Sequence, residues 1–120
     1  MSTKPKKKAR AREIELEVVG LQYRLTPPLR RKLGAYAPFP VFIERDRNNL
    51  HDKNAIKVSV DPHAEITRAG MHIGYLRKEV AAEWAAPLDS GKLVIDKATL
   101  VELYPEEGTA LIKVELRKLA

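Results

Sequence analysis

The sequence predicts a mainly β fold, a small six-stranded antiparallel barrel with helical inserts, and three observations lead there. Apolar and polar residues alternate with a period of two in several separate stretches, the pattern of half-buried strands. Only one stretch, 78–90, carries a firm apolar stripe at helical spacing. No βα rhythm repeats along the 120 residues, which leaves a closed antiparallel sheet rather than a doubly wound one.

The chain opens on Lys4, Lys6, Lys7, Lys8, Arg10 and Arg12 with no acidic residue among them. Residues 1–12 therefore read as a disordered basic arm that condenses on phosphates, or as a plain solubilising or targeting-like tail. If all six cations met phosphates, they would add about −4 to the salt slope of single-strand binding. Removing these six from the 22 Lys and Arg leaves 16 basic against 16 acidic residues in 13–120, the expected single domain. That domain is neutral, so local placement rather than bulk charge must carry any affinity for nucleic acid.

Within it, Ile14, Leu16 and Val18 alternate with Glu13, Glu15 and Glu17, a strand over 13–23. Val18 and Val19 are adjacent apolar residues before Gly20, which predicts a bulge or a close backbone approach. Beyond it Val19, Leu21 and Tyr23 are expected on one face. Residues 24–40 hold four of the eight prolines, and Thr26 before Pro27 and Pro28 predicts a short helix over 27–33 that Gly34 ends. A strand follows at 41–44, then a polar loop at 46–54, then a strand at 56–60 with Ile56, Val58 and Val60 inward. After a mobile connection at 61–70, the strand 71–76 is expected to set Met71, Ile73 and Tyr75 on one face. In the helix 78–90 the stripe is Val80, Ala81, Trp84, Ala85 and Leu88, Gly91 is a natural C′ residue, and Pro87 should kink the last turn. Strands at 93–104 and 109–119, joined through Pro105 to Gly108, complete a hairpin.

Several classes of activity are disfavoured. The chain has no Cys, hence no disulfide framework and no thiolate metal site. No apolar run approaches the ~20 residues needed to span a membrane, and no signal peptide follows the basic start. The expectation is a soluble monomer, cytoplasmic (nucleoid) in a bacterium or phage and nuclear in a eukaryote. Asp46, Asn48, Asp52 and Asn54 have the look of a calcium loop, but its sixth position is His51 rather than Gly and its twelfth is Lys57 rather than Glu. His51, His63 and His72 share no zinc-ligand spacing. Ser59 and Ser90 lie outside any nucleophile-elbow context, and carboxylates are scattered as on a solvated surface. These features predict a binding module without cofactor or metal, not an enzyme.

The stretch the domain is built around is Arg45 through Val60, RDRNNLHDKNAIKVSV. A turn needs its Asn and Asp residues. It does not need Arg45, Arg47, His51 and Lys53 interleaved with them, a mixture that suits a polyanion with a terminal hydroxyl. NNLHDKNAIKV, with VVGLQYR before it and HIGYLRKEVAAEWAAPLDSGKL after it, resembles the HIRAN domain over roughly 17–93. That family occurs alone in bacteria and phages and at the N-terminus of some helicase-like remodelling proteins. The resemblance implies a six-stranded OB-like (SH3-like) barrel that captures the 3′-hydroxyl end of single-stranded DNA with little sequence preference, for repair or replication machinery. A helicase or nuclease is the kind of protein partner it would serve.

The resemblance also assigns residues. Tyr23 matches the aromatic on which a splayed base stacks, against the alternative that it caps the core. Gln22 stands where the helicase branch resembles an Arg, so the cation is lost there, with Arg24 as a replacement. Asp52 matches the carboxylate that accepts from the 3′-hydroxyl; such a group repels a terminal phosphate. Its alternative role is an Asx turn within the loop, and its two oxygens allow both. His51 and Tyr75 stand where the helicase branch resembles a Tyr and a His, the aromatic and imidazole exchanged; the alternative for Tyr75 is burial beside Ile73 and Met71. Arg45, Arg47, Lys53, Arg77 and Lys78 bracket the same place and are candidate phosphate partners. Trp84 belongs to the core and Asn54 to the loop's own structure. The competing function is a protein-interaction or regulatory barrel that has lost end-specific binding through the Gln22 and His51 departures.

Overall fold

A computed structural model describes residues 11–66 and 68–119. Six strands close into an antiparallel barrel: β1 (Arg12–Val19), β2 (Phe39–Arg45), β3 (Ile56–Val60), β4 (His72–Leu76), β5 (Leu93–Tyr104) and β6 (Thr109–Lys118). Their order around the barrel is β1-β4-β3-β2-β5-β6. Helix α1 (Pro27–Tyr36) lies between β1 and β2, and α2 (Lys78–Ser90) between β4 and β5. The expected basic arm lies outside the described residues except at its end, where Arg12 already belongs to β1.

Alternation decides the interior. Val18, Val58, Val60, Ile112 and Val114 are fully buried, with Ile56, Ile73 and Leu100 beside them. Trp84 and Ala81 of α2 and Leu33 of α1 join the same core. Long β5 bends around it through two register shifts, one between Ile95 and Lys97 and one between Leu100 and Glu102. Such bulges raise local twist, which lets one strand serve two partners in a closed sheet.

Five expectations are corrected. The first strand stops at Val19 instead of reaching Tyr23. Gly20 takes a left-handed φ of 81°, and Leu21–Tyr23 form a 3-10 turn. Only Leu21 of that turn is buried, so Leu21 and Tyr23 do not share a face. The close backbone approach exists, but at Gly74: a Cβ there would stand 2.7 Å from the Val19 carbonyl oxygen and 2.9 Å from Leu21 Cδ1. Helix α1 runs three residues past Leu33, carrying Gly34 inside it against Leu103. Thr26 caps it as expected, its hydroxyl accepting from the Leu29 N–H. In β4 the register shifts, with Tyr75 opposite Lys57 and Gly74 opposite Val58 but His72 opposite Ser59. Ile73 is the extra residue, so it turns into the core while Tyr75 turns out.

Pro87 sits inside α2 without ending it, and Gly91 closes the helix at φ 78° with the Lys92 N–H reaching the Pro87 carbonyl. No helix among the described residues is long and apolar enough to cross a membrane.

Candidate nucleic-acid interface

The polar loop between β2 and β3 is held from inside by side chains. Asn49 organises its middle: its Oδ1 accepts from the backbone N–H groups of His51 (2.8 Å) and Asp52 (2.9 Å). Asp52 closes the next turn, Oδ1 accepting from the Asn54 N–H at 2.9 Å. This is the Asx arrangement expected of it. Among the described residues its second oxygen accepts no protein hydrogen bond, and the side chain is half-buried.

Arg45 fixes the base of the loop. Its guanidinium donates to the carbonyls of Ala55 (2.8 Å) and Lys53 (3.0 Å) and to Asp89 at the end of α2 (3.0 Å), with only 13% of the side chain exposed. Each of its three nitrogens thus donates within the protein, and the buried Arg45 serves as a strut of the loop. Arg47 also reaches Asp89, at 2.8 Å, from a largely exposed position.

Tyr75 faces this loop from β4. Its hydroxyl donates to Asp46 Oδ2 at 2.8 Å, and the Asn49 amide lies at the long limit of hydrogen bonding from both. Burial pulls the Asp46 carboxyl upward, but the hydrogen bonds from Tyr75 and Asn49 and the charge of Lys57 prevail and leave its pKa lowered. Tyr75 is shifted upward, by burial and then by Asp46, and stays a donor. The His72 ring meets Tyr75 edge to face at 4.8 Å between centroids. Because a carbonyl can only accept, the 2.9 Å contact of His72 Nε2 with the Gly74 oxygen means that Nε2 carries the proton. Burial first, and then Arg24, hold the imidazole pKa below its ordinary value, so the ring is neutral at pH 7.

On the other side of Tyr75 stands the 3-10 turn. Val19 pairs with Tyr75, and Gly20 redirects the chain so that Tyr23 projects into solvent, 85% exposed. Core capping is therefore not its role. Gln22 packs against Gly108 of the β5–β6 turn, whose carbonyl accepts from the Leu21 N–H at 3.0 Å. Arg24 is exposed and close enough to act on both His72 and Tyr75.

The predicted residues thus divide. Tyr75 joins the loop that carries His51, Asp52 and Lys53 through Asp46 and Asn49, Arg24 acts on Tyr75 from the turn that carries Tyr23, and His51 and Lys53 are exposed. Arg77 sits at the start of α2, paired with Glu17 at 2.6 Å and Glu79 at 3.7 Å, and Lys78 is exposed beside it. Asn49 bonds the backbone amides of the turn, as its place among the loop's turn-forming residues implies, but its link to Tyr75 is not expected from the sequence, and Asp46 and His72 enter the sequence reading only as metal ligands. An Asp followed by Asn at the third position is a turn signal that could have drawn Asp46 and Asn49 together. His72 gave no signal, because its place follows from the bulge at Ile73. Among the described residues no group of three acidic or His side chains could hold a metal.

The HIRAN domain model matches residues 12–117. The chain belongs to the HIRAN domain family. Among solved structures, this HIRAN domain is similar to the HIRAN domain of human HLTF, at 26% identity and a TM-score of 0.65 over 88% of this chain and 76% of that one. The HLTF HIRAN domain in its DNA-bound conformation gives 25% identity and a TM-score of 0.55 over 88% and 75%. A protein from Lactobacillus plantarum shares the fold at 20% identity and a TM-score of 0.64, over 90% and 97%. No curated protein sequence matches.

Proposed function

We propose that this HIRAN domain is a DNA-binding module that captures the 3′-hydroxyl end of a single strand without chemistry of its own. The observation that carries the reading is the state of Asp52. One carboxylate oxygen is tied into the loop and the other is open, on a loop that Asn49 and Arg45 hold in one shape. A fixed acceptor of that kind takes a hydrogen bond from a hydroxyl and repels a phosphate. The exposed ring of Tyr23 supplies a face for stacking, worth ~1–3 kcal/mol per base and tolerant of every base. The DNA-bound state of the similar HLTF domain supports DNA as the ligand. Serving a helicase or nuclease at such ends is the role this reading gives the module.

The test compares 5′-labelled single strands ending in 3′-hydroxyl or 3′-phosphate at constant salt, by fluorescence anisotropy. The hydroxyl end should bind more tightly. Asp52→Asn keeps the oxygen that accepts from Asn54 but removes the charge, so the preference should fall by about tenfold, ~1.4 kcal/mol, with part of the change a gain for the phosphate end. Equal affinity of the native chain for both ends would sink end capture and favour the interaction-barrel alternative.

A further inference from the structure

The end site accounts for the last nucleotides of a strand but not for where the rest of it goes. Two shallow concavities lie end to end beside Tyr23. The first is lined by Tyr23, Arg24 and the segment up to Pro27; the second by Pro28, Leu29, Lys32 and Arg68; Thr26 borders both. No carboxylate lines either one, whereas three other concavities on the barrel each carry an acid, Asp61 with Asp96 or Glu83. On a domain with equal numbers of acids and bases, a trough of two concavities that adjoin at Thr26, with cations and no acids, is a local departure.

The cations in it are available. Arg24, Lys32 and Arg68 are exposed, and among the described residues none forms an ion pair. Arg68 is held in a left-handed conformation, φ 69°, which a non-glycine residue adopts at a cost. Its carbonyl accepts from the Met71 N–H at 3.0 Å and the neighbouring Gly70 N–H bonds to Val60, so this turn is fixed to β3. On α1, Tyr36 lies four residues beyond Lys32 on the same face and keeps 39% of its surface exposed, a second aromatic one helical turn further on.

We infer that the strand leaving the captured end runs along this trough and α1, with Arg24, Lys32 and Arg68 meeting successive phosphates. The inference rests on the end-capture reading and adds to it a direction and a set of contacts.

The test uses the full chain and single strands with a 3′-hydroxyl, one of about four and one of about twelve nucleotides, the span over which one barrel of this kind binds. The native chain should bind the longer strand more tightly and with a steeper salt slope. Lys32→Gln with Arg68→Gln should lower that slope by about 1.4, two contacts at ~0.7 each, and weaken the longer strand several-fold. The four-nucleotide strand should change less than twofold. Lys97→Gln with Lys113→Gln removes the same charge from exposed positions on β5 and β6 and should leave both strands unchanged. An equal loss with that control pair, an equal loss on both lengths, or no loss on the longer strand overturns the path. If the short strand shows no preference for 3′-hydroxyl over 3′-phosphate in the native chain, end capture falls and the path falls with it. If that preference stands while Lys32 and Arg68 have no effect, only the path falls.

Discussion

Gly74→Ala should be among the most damaging small changes in this domain, and its cost can be worked from three distances. An added Cβ would stand 2.7 Å from the Val19 carbonyl oxygen, 2.8 Å from Val18 Cγ1 and 2.9 Å from Leu21 Cδ1. The first is backbone in the β1–β4 seam, and the other two belong to fully buried side chains, so none can swing aside. Overpacking of this kind costs roughly 1–3 kcal/mol. Gly74 does not need a positive φ, so alanine also brings about 0.4–1 kcal/mol of stabilisation by restricting the unfolded chain. With backbone among the clashing atoms the upper part of the range applies, and the net loss is about 2 kcal/mol. For a domain near this size that lowers Tm by on the order of 10 °C. Trp84, the single tryptophan and 8% exposed, reports unfolding in urea. Gly91→Ala is the contrast: φ is 78° and nothing lies within 4 Å, so its loss of ~1 kcal/mol is backbone strain alone. Because relief of the clash at position 74 pushes the 3-10 turn off β4, Gly74→Ala should also weaken capture of a 3′-hydroxyl strand where Gly91→Ala does not. A Gly74→Ala protein as stable as the native one, or more so, would refute the packing argument.

Other consequences concern the loop. Tyr75→Phe removes the hydroxyl that donates to Asp46, a hydrogen bond to a charged group worth about 1.5–3 kcal/mol. Since the Asp46 pKa is lowered in the folded state, its contribution is present above the ordinary carboxylate range and lost as pH falls through the depressed value. Urea midpoints measured from pH 6 down to about pH 2 should therefore fall less steeply for Tyr75→Phe than for the native chain; parallel curves would mean that this bond does not set the titration. His72, with its pKa lowered, adds a loss of stability as pH drops from about 6.5 toward its folded value, and His72→Gln should flatten that part of the curve. Arg45→Ala removes three hydrogen bonds at the base of the loop, leaving the Lys53 carbonyl without its donor while Ala55 keeps the Asp46 N–H and Asp89 keeps Arg47, and should cost about 1–3 kcal/mol with faster amide exchange at residues 49–55. Arg47→Ala, at an exposed ion pair, should stay within about 0.5 kcal/mol by the same denaturation assay.

What could be read in advance was whatever depends on local periodicity and local caps. The alternation of β6, the stripe and Gly91 of α2, the Thr26 cap and the Asx role of Asp52 are all properties of a few consecutive residues, and the barrel followed from them. What could not be read depends on partners distant in the chain. The inward turn of Ile73 comes from a register slip against Ser59. Tyr75 is drawn outward to Asp46, 29 residues away, and Arg45 is claimed by Asp89, 44 residues away. Seen in isolation, Arg45 and Arg47 are equivalent cations on one loop. Both meet Asp89 of α2; what distinguishes them is that only Arg45 is buried and also holds the Ala55 and Lys53 carbonyls. Gly20 was legible as a discontinuity but not as a reversal, because a bulge and a left-handed turn present the same pattern of adjacent apolar residues followed by glycine.

The footing of the 3-10 turn bears on mechanics. The Leu21 N–H is hydrogen-bonded to the Gly108 carbonyl in the β5–β6 turn, while the Leu21 side chain lies hard against Gly74 in β4. Under the proposed function, a strand stacked on Tyr23 and pulled would therefore load two seams of the barrel at once, one on each side of β1. Tension at that single ring is divided between them, and neither hairpin is peeled open from its end. If a DNA end is held at this ring as proposed, the weakest joint under force is between the ring and the base instead of inside the fold.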